Sequence, residues 1–109
     1  MKKLLALVLV CFSITANSQS WPSKPMRIIV PFAPGGATDV IARLAGQKLS
    51  EALGQQFTID NRPGANGNIG TEIAVKSPAD GYTLVMSYDG TMAINPSVYR
   101  SMPFDPLKD

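Results

Sequence analysis

Three stretches of the chain combine glycine, small residues and neutral polar side chains in a pattern suited to holding an anion. The first is Pro31-Phe32-Ala33-Pro34-Gly35-Gly36-Ala37-Thr38-Asp39, the second Gly64-Ala65-Asn66-Gly67-Asn68, and the third Ser87-Tyr88-Asp89-Gly90-Thr91. Glycine lets the backbone turn tightly and approach a ligand with no Cβ in the way. A helix starting just beyond such a turn presents free N–H groups and a partial positive charge. Backbone alone can then cradle a carboxylate. The candidate contacts are Phe32, Ala33, Gly35, Gly36 and Asp39 in the first stretch, and Gly64, Ala65, Asn66 and Gly67 in the second. The third offers the Ser87 and Thr91 hydroxyls. Two of these residues have open readings: Asp39 as helix cap or ligand contact, Phe32 as core packing or pocket lining. Arg62, close to Asp60, reads as a surface pair worth under about 1 kcal/mol.

Much other chemistry is excluded. The 109 residues contain no His and a single Cys, Cys11. Ser-His-Asp and Cys-His catalysis, imidazole metal ligation and histidine pH switching are therefore ruled out. No glycine is followed by lysine, as a P-loop requires, and residues 64–70 read G-x-x-G-x-x-G rather than the dinucleotide pattern G-x-G-x-x-G. A small anion held by neutral donors remains. Charge-assisted hydrogen bonds contribute about 1.5–3 kcal/mol each. About four or five of them reach the ~8 kcal/mol of a micromolar ligand after association costs.

The formal charge of +2, from 10 basic and 8 acidic residues, hints at a polyanionic partner until the basic residues are located. Lys2 and Lys3 precede the apolar run Leu4 to Phe12, and small and polar residues follow as far as Ser20. That is the pattern of a secretory signal peptide, residues 1–20, with cleavage near 18–20. The run is too short to span a membrane, which takes about 20 apolar residues. With the segment go both lysines and Cys11, leaving a mature chain of no net charge and no thiol. Its basic residues are interspersed with acids, so no nucleic-acid partner is expected.

The elements that must position the three loops follow from periodicity. Ile28-Ile29-Val30 ends a strand over 26–30 without alternation, as expected for a strand covered on both faces. Val40, Ile41, Leu44, Ala45, Leu49, Ala52 and Leu53 recur at helical spacing, with Thr38 or Asp39 at the entrance and Gly54 as C-cap. Residues 57–60 and 82–86 read as further strands. Between them lies a short helix over about 68–76, with Ile69 and Ile73 on one face. Residues 95–109 show no clear periodicity. The order β-loop-α-β-loop-α-β-loop implies an α/β fold, a parallel sheet with flanking helices, and gathers all three loops at its carboxyl edge.

The strand Ile28-Ile29-Val30, then Pro31 to Asp39 and Ala42-Arg43, resembles the start of mature substrate-binding proteins of tripartite tricarboxylate transporters, the Bug type. The resemblance continues through Asn61-Arg62-Pro63-Gly64-Ala65-Asn66-Gly67-Asn68-Ile69-Gly70 and Ser77-Pro78-Ala79-Asp80-Gly81-Tyr82-Thr83-Leu84, and ends in Pro103 to Asp109. It implies a periplasmic, two-lobed Venus flytrap of the type 2 periplasmic-binding-protein fold. Such a protein captures di- or tricarboxylates, acidic amino acids or aromatic acids and delivers them to an integral membrane permease. It is expected to be a monomer without cofactor or metal. By resemblance, residues 32–39 and 64–68 grip one ligand carboxylate, partly through ordered waters, and residues 87–91 border the pocket. Members of that family are much longer, so residues 21–109 are expected to be the N-terminal part of a first lobe from a truncated gene or partial sequence. Two competing expectations are a non-functional remnant without a stable fold and an exported enzyme acting on a carboxylate.

Overall fold

The computed structural model describes residues 20–109; the expected signal peptide, with Cys11, lies outside the described residues except for Ser20. Met26–Val30 forms β1, and its Ile28, Ile29 and Val30 are at most 2% exposed. A run of three large aliphatic residues needs cover on both faces. β1 obtains it as the middle strand of a parallel sheet, with β2 (Phe57–Asn61) on one edge and β3 (Thr83–Val85) on the other. The register pairs Ile28 with Ile59 and with Leu84.

Helix α1 (Ala37–Leu53) links β1 to β2, and α2 (Asn68–Val75) links β2 to β3 across the far side of β1. Parallel crossovers are right-handed. These two run in opposite directions over the sheet, so the helices cover opposite faces. Met26, Ile28, Val30, Ala42 and Phe57 form the core beneath α1, with Leu49, Ile59 and Tyr82 packed against it. Gly54 ends α1 at φ 68°, its N–H donating to Ser50 O at 3.0 Å. The lead-in before β1 is anchored where Ser23 N–H donates to the Tyr82 hydroxyl, 2.9 Å away.

Two features differ from the sequence reading. The buried residues of α1 are Asp39, Ala42 and Gly46, while Val40, Ile41 and Leu44 are each about half exposed. Residues 39, 42 and 46 recur three and four apart, and their small side chains let the helix axis settle close to the sheet. The bulky aliphatic residues lie to the side of that narrow contact. Beyond β3, the chain forms a π-helical turn, Gly90–Ile94, and a single α-helical turn, α3 (Asn95–Val98). Four residues are too few to show periodicity, and Pro96 in the first turn reads as a breaker when context is absent.

Close approach of α2 depends on Gly70. A Cβ there would stand 2.6 Å from Arg62 O and 2.7 Å from Pro31 Cα, both backbone atoms. At Gly46 a Cβ would meet the side-chain tip of Ile59 at 3.3 Å. Gly70→Ala is therefore expected to destabilise the protein by about 1–3 kcal/mol through overpacking. Gly46→Ala should stay within about 1 kcal/mol of wild type, because helix propensity offsets mild crowding. Urea unfolding of the complete reading frame checks both; equal effects would contradict the packing described.

Candidate ligand-binding site

The loops after β1 and β2 leave adjacent parallel strands and turn to opposite faces of the sheet. That divergence marks a topological switch point at the carboxyl edge, where open α/β sheets form their ligand crevice. Loop 1 (residues 31–36) enters α1 through Gly35 at φ 88° and Gly36, the N-cap, which has no side-chain capping bond. Ala33, Gly35, Gly36 and Ala37 are exposed. Nothing lies within 4 Å of a Cβ built on Gly35, and only Ala33 O, at 3.8 Å, near one on Gly36. The N–H groups of the first helical turn have no intrahelical acceptor, so this turn faces open space with donors unpaired by the helix.

Asp39 is 3% exposed, and both its oxygens bind protein groups. Oδ2 accepts from Gly35 N–H and Arg43 Nε, each at 2.9 Å, and Oδ1 accepts from Asn61 Nδ2 at 3.0 Å. Asn61 Nδ2 also donates to Phe32 O at 3.1 Å. Asp39 thus reaches back over the loop, and Asn61, at the end of β2, ties loop 1 to its neighbour. The Gly35 N–H, one of the expected cradle donors, is engaged within the protein. The Arg43 guanidinium, the Gly35 N–H and the Asn61 amide outweigh burial and hold the Asp39 pKa down at about 2.

Loop 2 has four successive residues at positive φ: Gly64 at 137°, Ala65 at 46°, Asn66 at 52° and Gly67 at 89°. Gly67 N–H donates to Gly64 O at 3.0 Å and Asn68 N–H to Ala65 O. A Cβ on Gly67 would collide with Thr91 Oγ1 and reach Phe32 Cζ at 3.0 Å, so all three loops meet at this glycine. Thr91 is fully buried and donates to Asn66 O at 2.9 Å. The Tyr88 hydroxyl donates to Asn66 Oδ1 at 2.8 Å, and its ring stands edge-on to Phe32, centroids 4.8 Å apart. Phe32 is half-buried and also packs on the core. Ser87 Oγ is buried and has no partner among the described residues.

At the base of loop 2, Asp60 accepts from Arg27 Nε and Arg62 Nε, each at 2.8 Å. Burial works to raise the Asp60 pKa, but the two guanidiniums prevail and lower it. The Arg62–Asp60 pair is thus one of two ion pairs that Asp60 makes rather than a simple surface pair. Residues that the sequence reading did not single out also shape the site: Asn61, Tyr88 and Asn95. Asn61 carried a signal, standing at a strand end directly before Arg-Pro-Gly; Asn95 carried none, because its place depends on the π-helical turn. Elsewhere among the described residues, an open hollow of about 370 Å³ is lined by Met92, Ala93, Pro96, Asp105, Pro106 and Leu107. It contains none of the expected contacts.

The lowered pKa of Asp39 fixes the sign of a pH effect. Ionised Asp39 contributes stability above the ordinary carboxylate pKa of 3.8, and the contribution is lost as pH falls towards about 2. In thermal melts of the complete reading frame, Asp39→Asn should lower Tm at neutral pH. The gap to wild type should narrow as the pH is taken down through that range. A gap independent of pH would contradict the hydrogen-bonding given to this carboxylate.

Residues 41–109 match the sequence model of the tripartite tricarboxylate transporter family receptor. Protein BugT of Bordetella pertussis is 41% identical over 116 aligned residues, covering 100% of this chain and 35% of BugT. The solved structure of R. palustris Rpa4515 with adipate superposes with a TM-score of 0.79 at 48% identity, covering 82% of this chain and 30% of that one. MatC from Rhodopseudomonas palustris with bound malate gives a TM-score of 0.75 at 31% identity, over 79% of this chain and 29% of MatC. Further solved matches are periplasmic proteins, so the fold is part of a periplasmic-binding-protein lobe. The chain spans about a third of the length of the curated relatives it matches. With that family model covering more than half of its residues, the chain belongs to the tripartite tricarboxylate transporter receptor family, the Bug-type solute-binding proteins.

Proposed function

We propose that these residues form the part of an exported solute-binding protein that grips one carboxylate of a small di- or tricarboxylate. The observation carrying this reading is the uncapped, glycine-led first turn of α1, exposed at the switch point beside loop 2. Backbone N–H groups around Gly36 receive the carboxylate from one side, and the backbone around Gly64 to Asn66 receives it from the other. The unpartnered Ser87 hydroxyl supplies a further donor from loop 3. Phe32 and Tyr88 provide an aromatic wall. Asp39 acts through loop 1 and does not touch the ligand. Two relatives solved with adipate and malate, both small dicarboxylates, support the ligand class. Export follows from the signal peptide read in residues 1–20, and delivery to a membrane permease from the family's transport role. Catalysis is disfavoured because residues 21–109 contain neither His nor Cys.

Thermal melts of the complete reading frame with adipate, malate, citrate, glutamate and benzoate test the reading. At a hundredfold excess over Kd, a ligand adds about 2.7 kcal/mol to stability, which raises Tm by several degrees. Gly36→Leu should abolish the shift while lowering the unliganded melt only by the loss of a good N-cap residue, about 1 kcal/mol, since a Cβ there meets no clash. Absence of a shift with every acid would overturn the reading.

A further inference from the structure

We propose that Asn95 is a positioning residue for the cradle: it clasps Asn66 in a left-handed conformation and so sets the direction of the loop 2 N–H groups. The proposal rests on the carboxylate-binding reading of that loop. Ala65 and Asn66 are consecutive non-glycine residues at φ 46° and 52°, a region that alanine rarely occupies and that asparagine enters more readily than most L-residues. The carbonyl of Asn66 and both ends of its side chain are engaged there. Its carbonyl accepts from Thr91 Oγ1 at 2.9 Å and from Asn95 Nδ2 at 3.0 Å. Its side-chain oxygen accepts from the Tyr88 hydroxyl at 2.8 Å, and its side-chain amide donates to Asn95 Oδ1 at 2.8 Å.

Asn95 therefore meets Asn66 twice, at the backbone and at the side chain. Its second amide hydrogen goes to Asn68 Oδ1, 2.8 Å away, so the same residue also holds the start of α2. Asn95 is 1% exposed and Thr91 0%, so the clasp holds exposed Asn66 from its buried side. The π-helical turn sets up the arrangement. Asn95 N–H closes onto Gly90 O, five residues back, and Thr91 and Asn95 both face Asn66. Such π-turns recur at functional sites. A buried amide matched at both ends to one loop residue fixes that loop's geometry in a way that apolar packing does not.

The test uses the complete reading frame with Asn95→Ala, alone and combined with Asn66→Gly, because glycine adopts the left-handed conformation without a clasp. In ligand-free protein, Asn95→Ala should speed amide hydrogen exchange across residues 64–68. With malate or adipate as probe, it should weaken binding about tenfold, as the competent loop falls to about a tenth of the population. In the Asn66→Gly background, the same substitution should change affinity by less than about threefold. Unchanged exchange in Asn95→Ala overturns the clasp, whether or not any carboxylate binds. Equal losses of affinity in both backgrounds also overturn it, since Asn95 would then only support the fold. Failure of wild type to bind either probe counts against the functional reading alone, and the exchange measurement still decides the clasp. Should Asn95→Ala not fold, Asn95→Leu, close in volume and uncharged, loses the bonds to Asn66 and Asn68 without leaving a cavity and is read in the same way.

Discussion

Ile28, Ile29 and Val30 give β1 no face that can meet water, and the molecule is organised around hiding them. Pairing on both edges makes β1 the central strand. Right-handed crossovers running outward to β2 and then back past β1 to β3 place α1 on one face and α2 on the other. The same topology sends the loops after β1 and β2 in opposite directions. The crevice between them is thus a by-product of covering one hydrophobic strand twice. Small residues complete the geometry, with Gly46 allowing α1 to settle on Ile28, Phe57 and Ile59, and Gly70 allowing α2 to lie against the backbone of Pro31 and Arg62.

Within the crevice, the loops are shaped by one another more than by charge. Asp39 reaches back to Gly35 N–H, and Asn61 crosses from β2 to Asp39 and Phe32. Thr91 and Tyr88 come from loop 3 to Asn66. The only buried carboxylate in this network is balanced by Arg43, so the first turn of α1 is left to present N–H groups to solvent without a dominant local charge. A rigid set of neutral donors costs little reorganisation when an anion arrives, which is the physical advantage of a preorganised site.

Much of this was legible in the sequence. The three strands, both main helices, the Gly54 cap and the parallel order followed from aliphatic runs, helical spacing and turn residues. What escaped has a common cause: it depends on contacts between segments distant in the chain. Helical spacing marks Val40, Ile41 and Leu44 as apolar without saying that a three-stranded sheet touches only the strip through Asp39, Ala42 and Gly46. Asp39 carried two readings because capping and ligand contact require the same residue type; its partner Asn61 lies 22 residues away. The expected contacts Thr91 and Asn66 bond to each other, and the π-helical turn that brings Asn95 to them has no sequence signature of its own.

Whether an anion sits between loops 1 and 2 is tested most directly by a crystal structure of the complete chain with adipate or malate bound. One ligand carboxylate is expected within hydrogen-bonding reach, directly or through one water, of N–H groups around Gly36 and in residues 64–66, since the Gly67 and Asn68 N–H groups are engaged within loop 2. A ligand bound instead in the apolar hollow between Met92 and Leu107, or elsewhere with this crevice empty, would contradict it.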